Sequence, residues 1–363
     1  EAQRFRESAG PDYAGFHGVV PADMEHRQKM IEAVYKKFEG NPNPYARNDD
    51  KGMPLDPDAS RATFVLSDGL AVDTVLFEPI VRQPLYVDFD ERGRMWVVQY
   101  MQYPNPAGLE VLTWDDHLRK VFDRVPPPPP YDSPEKAKFA GHDRITIHED
   151  RDGDGTYETN KVFVDGLSLA TSVAQGDGGV WVMQPPYLLF YPDMDNDDIP
   201  DGDPVVHLSG FGLEDTHSIA NSLKWGPDGW LYGGVGSTVT ARVRVHLSGS
   251  DRRHSFFGQN IWRYHPEMHV FELFAEGGWN TFGVDFDDMG RVYSGTNGNL
   301  QAVHFVQGAY YQKSFGKHGP HTNPYTFGYF AGMPIKGESI RMVHQWIYYN
   351  SGAIPSLEGL LVG

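Results

Sequence analysis

The 363-residue sequence contains no cysteine, which excludes disulfides, thiolate metal sites and covalent haem attachment within this chain. It also contains no apolar run long enough to span a bilayer. Basic residues are scarce, because 31 Lys and Arg stand against 49 Asp and Glu, for a formal charge of −18. A charge of this sign repels phosphate backbones and anionic lipid, so nucleic-acid binding is not expected.

Two acidic loops, 43 residues apart, share one spacing of carboxylates. Alternate carboxylates followed by another four positions on let a short loop surround Ca²⁺ with oxygen atoms. Neither loop is an EF-hand, because Lys161 stands at position 12 of the first and Asp198 at position 6 of the second. The predicted metal ligands are Asp150, Asp152, Asp154 and Glu158 in the first loop and Asp193, Asp195, Asp197 and Asp201 in the second. Alternatively, these carboxylates only solubilise two tight turns.

The chain begins at Glu1 rather than at Met and shows no signal peptide, so we expect a processed or partial product. Calcium-type loops suit a compartment in which calcium is plentiful, and a chain without cysteine tolerates oxidising conditions. Both features favour a periplasmic or extracellular location. The protein could be associated with a membrane there.

Four segments repeat a strand, a tight turn and a second strand that carries an aromatic residue three positions after a glycine. The four aromatic residues are Trp96, Trp181, Tyr232 and Tyr293. Repeats separated by 85, 51 and 61 residues indicate stacked β units. The sequence therefore predicts an all-β fold, a β-propeller of the six-bladed type with four to five blades visible.

Two parts of the chain are distinguished by composition. Residues 1–60 are predicted to form an N-terminal arm, with one helix over residues 20–39 and a linker rich in Pro, Asn and Asp. Residues 61–363 are predicted to form the propeller, with residues 103–142 as an insertion over one face. The last segment has the pattern of a fifth blade that stops partway. We therefore expect a further C-terminal part of the protein or a partner subunit to complete the ring.

The best candidate for chemistry is the segment 215–238, which reads DTHSIANSLKWGPDGWLYGGVGST. His217 precedes a strand and a Gly-Pro-Asp-Gly turn, a position expected at the inner rim of a blade. Imidazole titrates near neutral pH and can take a proton from a hydroxyl, and Asp215 is close enough to orient it. Alternatively, His217 only forms hydrogen bonds to backbone groups in a loop.

Several motifs in order resemble a known family. They are DERGRMWVVQY, DRITIHEDRDGDG, GGVWVMQPPYLLFYPDMDNDD, DTHSIANSLKWGPDGWLYG and IWRYHPEMHVFELFAEGGWNTFGVDFDDMG. Over residues 62–363 the sequence resembles the N-terminal propeller domain of membrane-bound dehydrogenases of Planctomycetes and Verrucomicrobia. More distantly, it resembles the soluble quinoprotein glucose and sorbosone dehydrogenases. The resemblance implies oxidation of a sugar hydroxyl with pyrroloquinoline quinone (PQQ) as hydride acceptor, and a cytochrome that receives the electrons.

The resemblance also implies roles for particular residues. By position, His217 matches the base that takes the proton of the sugar hydroxyl in the quinoprotein enzymes. Asn280 and Gly283 match residues that hold the quinone. Trp279 stands where an Arg is expected, and an indole can stack on a planar cofactor but cannot pair with its negative charge. Arg242, Arg244 and Arg263 are substitute cations without motif support.

The sequence is compatible with three functions. The first is an exported dehydrogenase that oxidises a sugar or polyol hydroxyl, with His217 as general base and a quinone as hydride acceptor. The second is a non-catalytic propeller that serves as a binding or scaffold subunit of a larger, membrane-attached complex. The third is a polysaccharide lyase or hydrolase in which His217 and a nearby Tyr act on a uronic acid. A nicotinamide route is disfavoured, because no glycine fingerprint for a dinucleotide is present.

Overall fold

The structure is a computed structural model that describes residues 55–66, 68–115, 119–297, 301–311, 313, 328–329, 333–334 and 345–362. The predicted helix over residues 20–39 lies outside these residues, and the predicted boundary at residue 60 stays a prediction. Within the described residues, one α-helix is present, α1 (Pro57–Arg61), whose N-terminal amide is capped by the Asp56 carboxylate. No helix in the described ranges has the length and hydropathy required to span a bilayer.

The rest of the described chain is almost entirely β-structure. Two 3₁₀ turns interrupt it, at Ala137–Phe139 and His246–Ser248. Sheet 1 consists of β1 (Pro84–Phe89), β2 (Met95–Gln99), β5 (Asp143–Glu149) and β6 (Thr159–Leu167), paired in that order. Between β2 and β5 the chain forms a separate hairpin of β3 (Val111–Trp114) and β4 (Lys120–Phe122). This hairpin belongs to the insertion that the sequence predicts over residues 103–142.

Sheet 2 is a four-stranded meander that a later hairpin extends at its outer edge. The meander contains β7 (Ser172–Gln175), β8 (Gly179–Gln184), β9 (Tyr187–Pro192) and β10 (Val205–Phe211). The extension contains β13 (Thr240–Val245) and β14 (Arg253–Phe257). A hairpin from the third repeat therefore extends the second sheet and links the second repeat to the third.

Two further sheets and a hairpin follow in chain order. Sheet 3 contains β11 (Ala220–Trp225), β12 (Leu231–Val235), β15 (Asn260–His265) and β16 (Val270–Glu276), followed by the short β20 (Ala309–Tyr310) and β21 (Gly328–Tyr329). Sheet 4 contains β17 (Asn280–Phe286), β18 (Val292–Asn297), β19 (Gln301–Phe305) and β22 (Met333–Pro334). The final hairpin contains β23 (Ile347–Tyr349) and β24 (Leu360–Val362).

The first strands of successive units are neighbours in space. β1 contacts β7, β7 contacts β11, β11 contacts β17, and β17 contacts β23. β1, β7, β11 and β17 each begin an antiparallel meander that runs outward to a fourth strand, whereas β23 begins the final two-stranded hairpin. Sheets that radiate from adjacent inner strands are the blades of a β-propeller, so the predicted all-β propeller architecture is confirmed. Four sheets and a fifth hairpin account for the four to five blades that the sequence predicts.

The hydrophobic core is divided into three clusters, one between each pair of successive sheets. The repeated aromatic residues Trp96, Trp181, Tyr232 and Tyr293 all lie on the second strand of their sheets and are at most 8% exposed. Trp96, Trp181 and Tyr232 belong to the three core clusters, so each of these rings fills the space between two successive sheets, which is the packing role that the repeat predicts.

Three of the four rings are also tied to the turn that precedes their strand. A turn carboxylate accepts a hydrogen bond from the ring, from Trp96 Nε1 to Asp90 at 3.0 Å and from Tyr293 to Asp287 at 3.2 Å. Tyr232 donates to Asp228 at 2.8 Å in the same way. The carboxylate also accepts backbone N–H groups of its own turn. One short acidic turn thus closes the hairpin and orients the ring that packs against the next blade.

Arg94 links this turn of sheet 1 to the second acidic loop on sheet 2. Its guanidinium donates to Asp90 at 2.8 Å and forms a two-pronged pair with Asp198 at 2.7 and 2.9 Å. The Arg94 side chain is only 9% exposed, and its two carboxylate partners are nearly as buried. Removing the cation from such a site leaves two carboxylates without their countercharge in a poorly solvated place.

We expect Arg94→Ala to lower the free energy of unfolding by about 3 kcal/mol, because breaking a buried ion pair costs far more than a surface pair. The measurement is urea unfolding followed by tryptophan fluorescence. Arg92→Ala is the matched control, since Arg92 is exposed and, among the described residues, its guanidinium contacts the Asn196 carbonyl at 3.3 Å without a carboxylate partner. The control should shift stability by at most about 0.5 kcal/mol. Equal effects of the two substitutions would contradict the assignment.

A buried histidine lies between the outer parts of sheets 2 and 3. His207 is 7% exposed, its Nδ1 lies 3.0 Å from the Tyr264 hydroxyl, and its ring packs edge-on against Trp181. Burial lowers the pKa of His207 to about 4, and the neighbouring His269 and His246 act in the same direction. In the unfolded chain this imidazole would bind a proton below its ordinary pKa near 6.5.

The stability contributed by neutral His207 is therefore complete above pH 6.5 and is lost as the pH falls towards 4. We expect the stability difference between the wild type and His207→Gln to change by about 3 kcal/mol over this range, since Gln cannot titrate. Urea unfolding at several pH values measures it. The exposed His142→Gln variant is the control and should follow the wild type. A pH-independent difference for His207→Gln would contradict the prediction.

Candidate functional site

A cavity of about 640 Å³ lies where the inner strands begin, and we refer to it as the central cavity. Residues at or just before the start of each inner strand line it, namely Gln83, Thr171, Ile219, Asn280 and Gln345. The other lining residues are Pro84, Leu85, Tyr86, Tyr100, Tyr103, Thr216, His217, Asn221, Ser222, Phe282 and Gly283. A concave site lined by aromatic rings and a few convergent polar groups is the usual form of a small-molecule site.

His217 lies at the mouth of the central cavity, and its side chain is 72% exposed. Its Nδ1 is 3.2 Å from Asp215 Oδ1, and its Nε2 contacts the hydroxyl of Tyr103. Because the carboxylate is an acceptor, Nδ1 carries the proton in the neutral ring and Nε2 presents its lone pair. His217 is thus held with its proton-accepting atom facing Tyr103 and the cavity.

Asp215 is fixed from its other side. Its second oxygen accepts the Thr238 hydroxyl, which lies 2.8 Å from Ser218 Oγ, and its first oxygen accepts the His217 backbone N–H at 3.2 Å. Burial disfavours the charge of Asp215, but these hydrogen bonds outweigh burial and hold its pKa below the usual range. The carboxylate is therefore ionised at neutral pH and can accept a hydrogen bond from the adjacent imidazole.

Two inner strands contain a bulge at the cavity. The register shifts within β11 around Ser222, which has φ of 59°, and within β17 around Gly283, which has φ of 75°. The Gly283 N–H donates to Ser222 Oγ at 2.8 Å, so the two bulges support each other. A Cβ on Gly283 would lie 3.0 Å from Gln345 Cα, which explains glycine at this position. Asn221 and Phe282, the residues before the bulges, form part of the cavity wall.

The two acidic loops adopt the same backbone conformation at hairpin tips of sheets 1 and 2. In each loop the first Asp accepts the N–H groups of the fifth and sixth residues. The N–H of the second residue donates to the ninth, which is Glu158 in one loop and Asp201 in the other. The fourth and sixth residues have positive φ in both loops, including Asn196 and Asp198 in the second. The shared spacing of carboxylates thus corresponds to a shared structure.

Both loops collect carboxylate oxygens. One oxygen each from Asp150, Asp152, Asp154 and Glu158 lies within 4.8 Å of the others, and the same holds for Asp193, Asp195 and Asp197. Asp201 is outside the second group. Burial of Asp193, together with the charges of Asp198 and Asp197, raises its pKa although two backbone N–H groups oppose this. A hard divalent cation would relieve this repulsion, but calcium in these loops stays a prediction.

A family model described as a domain of unknown function, DUF7133, matches residues 56–335, which is more than half of the chain. The chain belongs to the DUF7133 family. A search of curated proteins finds no match to it.

The DUF7133 chain is also similar to several solved structures. The PQQ-bound aldose sugar dehydrogenase of Streptomyces coelicolor is 16% identical, with 74% of this chain and 72% of that chain covered and a TM-score of 0.34. The holo PQQ domain of pyranose dehydrogenase from Coprinopsis cinerea is 12% identical, with coverages of 67% and 51% and a TM-score of 0.41. A protein of unknown function from Bacteroides thetaiotaomicron is 10% identical, with coverages of 76% and 67% and a TM-score of 0.32. These similarities assign no activity to this chain, and the resemblance to membrane-bound dehydrogenases stays a prediction.

The three predicted quinone-binding residues are not equivalent in the DUF7133 structure. Asn280 and Gly283 both line the central cavity, and Asn280 Oδ1 accepts the Ser237 N–H at 2.7 Å. Trp279 is not among the described lining residues. Its backbone has φ of 72° and its N–H donates to Gln259 Oε1 at 3.1 Å. The structure therefore brings His217, Asn280 and Gly283 to one cavity and leaves Trp279 beside it.

The described residues of the cavity wall include no Lys and no Arg. Of the substitute cations, Arg263 pairs with Glu272 at 2.7 Å and stacks on Trp230, and Arg244 pairs with Asp251 at 2.8 Å. Neither these two nor Arg242 belongs to the described wall. PQQ is a polycarboxylate and needs cationic partners. The volume and hydrogen-bonding groups fit a planar cofactor, but the charges of the described wall residues do not fit PQQ.

Two residues of this site were missed by sequence reasoning. Thr238 ends the segment 215–238, and only the β11–β12 hairpin shows that it returns to Asp215. Tyr103 was assigned to an insertion over one face, and 114 positions separate it from His217. No motif signals its role. The insertion follows the second strand of its blade directly and therefore starts near the propeller axis. This position was the only indication that Tyr103 lies near the site.

We expect Ca²⁺ to raise the melting temperature of chelator-treated protein, since a ligand at 100 times its Kd stabilises the folded state by about 2.7 kcal/mol. Differential scanning fluorimetry with EDTA, with Ca²⁺ and with Mg²⁺ measures it. Asp150→Asn and Asp193→Asn should each reduce the calcium effect, whereas Asp165→Asn, at an exposed acidic residue outside the loops, should not. Identical melting curves with chelator and with Ca²⁺ would mean that the loops are only solvated turns.

Proposed function

We propose that the DUF7133 chain is a quinoprotein-like oxidoreductase that oxidises a hydroxyl of a sugar or polyol, with His217 as general base. The observation that supports this proposal is the hydrogen-bonded series Thr238–Asp215–His217 at the mouth of the central cavity. A base oriented by an ionised carboxylate and open to a cavity is the arrangement that removes a proton from a bound hydroxyl.

The cavity wall supports a polyol as substrate. Its described residues carry side-chain amides at Gln83, Asn221, Asn280 and Gln345, and hydroxyl groups on several Tyr, Thr and Ser residues. Amides and hydroxyls can donate to and accept from sugar hydroxyls, and tyrosine rings offer apolar faces to the sugar carbons. Few charges are present on this wall, which suits a neutral ligand better than an ionised one.

The proton step uses residues of this chain alone. His217 Nε2 accepts the proton lost by the hydroxyl, and its ring becomes an imidazolium. Asp215 stabilises this cation across the 3.2 Å contact and prevents rotation of the ring. Thr238 holds the Asp215 carboxylate in the ionised form, as its lowered pKa indicates.

The electron acceptor is a separate part of the proposal. The resemblance suggests PQQ, which would accept a hydride, and a cytochrome beyond it. Since the described wall residues offer no cation for PQQ, we assign no residue and no step to it. We also propose a periplasmic or extracellular location, on the strength of the calcium-type loops and the absence of cysteine.

A non-catalytic scaffold is the second candidate, and one observation favours it. Leu85, Val87 and Phe89 alternate along β1 and are 49%, 43% and 55% exposed, so one face of sheet 1 presents an apolar row. Such a face on a propeller blade can pack against another sheet or a partner. Stable stoichiometric co-purification with another chain, with no turnover of any substrate, would support this function instead.

The lyase or hydrolase function requires a Tyr near His217, and Tyr103 contacts His217. A uronic acid, however, carries a carboxylate, and the described part of the cavity wall has no Lys or Arg to neutralise it. We therefore do not propose this function.

We expect His217→Ala to lower kcat of dye-linked sugar oxidation by a factor of about 10² to 10⁴, with a smaller change in KM, because a positioned base acts mainly in the transition state. The assay uses a panel of sugars and polyols, with and without added PQQ and Ca²⁺. His142→Gln is the control, at an exposed His outside the described cavity wall. Full activity of His217→Ala would remove the assigned base, and no turnover by the wild type would remove the proposed function.

A further inference from the structure

We propose that Tyr103 is a further catalytic residue, which contacts the reacting hydroxyl and passes a proton between it and His217. This inference rests on the proposed function and concerns only its proton step. Tyr103 lines the central cavity and is 38% exposed, so a ligand in the cavity can reach its hydroxyl.

The position of the phenol supports this role. The Tyr103 hydroxyl contacts His217 Nε2, which is the atom of the base that must accept the substrate proton. The two rings meet edge to face with centroids 5.2 Å apart, and the centroid of the Tyr100 ring lies 5.7 Å from that of Tyr103. A substrate hydroxyl in the cavity therefore finds the accepting atom of His217 already engaged by a group that can both donate and accept.

The loop that carries Tyr103 is fixed on both sides of it. The Gln102 N–H donates to Asp143 Oδ1 at 2.5 Å, and the Thr216 hydroxyl donates to the Pro104 carbonyl at 2.8 Å. Asp143 is fully buried, which is a costly place for a carboxylate unless it has a structural use. Because both neighbours of Tyr103 are anchored, its contact with His217 is a property of the built loop rather than of one mobile side chain.

Each proton that Tyr103 gives up in the relay is replaced by one that it receives. The substrate hydroxyl gives its proton to the Tyr103 oxygen as Tyr103 gives its own proton to His217 Nε2. Tyr103 is neutral before and after the step, the substrate becomes an alkoxide, and the imidazolium faces Asp215. The two electrons leave in the oxidation step, as hydride to the electron acceptor, and are not part of the relay.

The electrostatics of Tyr103 agree with a relay rather than a resting phenolate. Burial and the negative charge of Asp215 raise the pKa of Tyr103. The phenol therefore gives up its own proton only as it receives the proton of the substrate hydroxyl. The alternative is that Tyr103 only restrains the His217 ring. The two roles differ in how many protons move in the rate-limiting step, which a solvent isotope experiment can count.

The test compares Tyr103→Phe with the wild type and with Tyr131→Phe. Tyr131 belongs to the same insertion but lies outside the described cavity wall, where its hydroxyl accepts the Gln184 amide at 3.0 Å. For Tyr103→Phe we expect kcat to fall by a factor of about 10² with little change in KM. In mixtures of H₂O and D₂O, the rate of the wild type should show a curved proton inventory and that of Tyr103→Phe a linear one. Tyr131→Phe should match the wild type.

A second readout does not depend on turnover. In ¹⁵N NMR spectra of the imidazoles, Tyr103→Phe should shift the Nε2 resonance of His217, because a hydrogen bond to that atom is lost, and Tyr131→Phe should not. An unchanged Nε2 resonance, or wild-type kcat with a curved inventory in Tyr103→Phe, would overturn the relay. If no sugar is oxidised by the wild type, the proposed function fails, and the NMR result separately decides the Tyr103–His217 contact.

Discussion

Burial of one aromatic ring between each pair of successive sheets is the interaction on which this structure depends. Trp96, Trp181 and Tyr232 lie in the three cores between the four sheets, and Tyr293 is buried at the same place on the second strand of the fourth sheet. A single meander exposes apolar side chains on both faces and cannot bury them alone, so each sheet is stable only against its neighbours. Where a turn carboxylate also accepts a hydrogen bond from the ring, that bond fixes the orientation of the ring within its own hairpin.

The central cavity follows from this packing. Because successive sheets stack through their faces, their first strands are brought side by side, and the residues just before those strands converge. His217 and Asn280 are 63 positions apart and belong to different blades, yet they line one cavity. The loops at strand starts are free to carry polar chemistry, because the cores between the sheets supply the stability. The bulges at Ser222 and Gly283 then shape the wall without weakening those cores.

Contacts between blades add specificity to the packing. Arg94 extends from the turn of sheet 1 and forms an ion pair with Asp198 in the second acidic loop. The β13–β14 hairpin from the third repeat extends sheet 2. The carboxylates of the second acidic loop fall into two groups. Asp198 pairs with Arg94, whereas Asp193, Asp195 and Asp197 each place one oxygen within 4.8 Å of the others. A cation there would act on the junction of two blades rather than on a free loop.

The periodic parts of this molecule could be read from its sequence. Glycine followed three residues later by an aromatic ring sets the turn and the packing residue locally, and evenly spaced carboxylates set the shape of each acidic loop through its own backbone. The segment around His217 was also recognisable, because the residues that orient this side chain lie within one hairpin. The tertiary structure alone decided that Tyr103 meets His217, that Arg94 meets Asp198 and that Trp279 lies beside the cavity rather than on its wall. Each of those outcomes depends on how separate blades face one another. A sequence pattern that repeats within each blade does not determine that orientation.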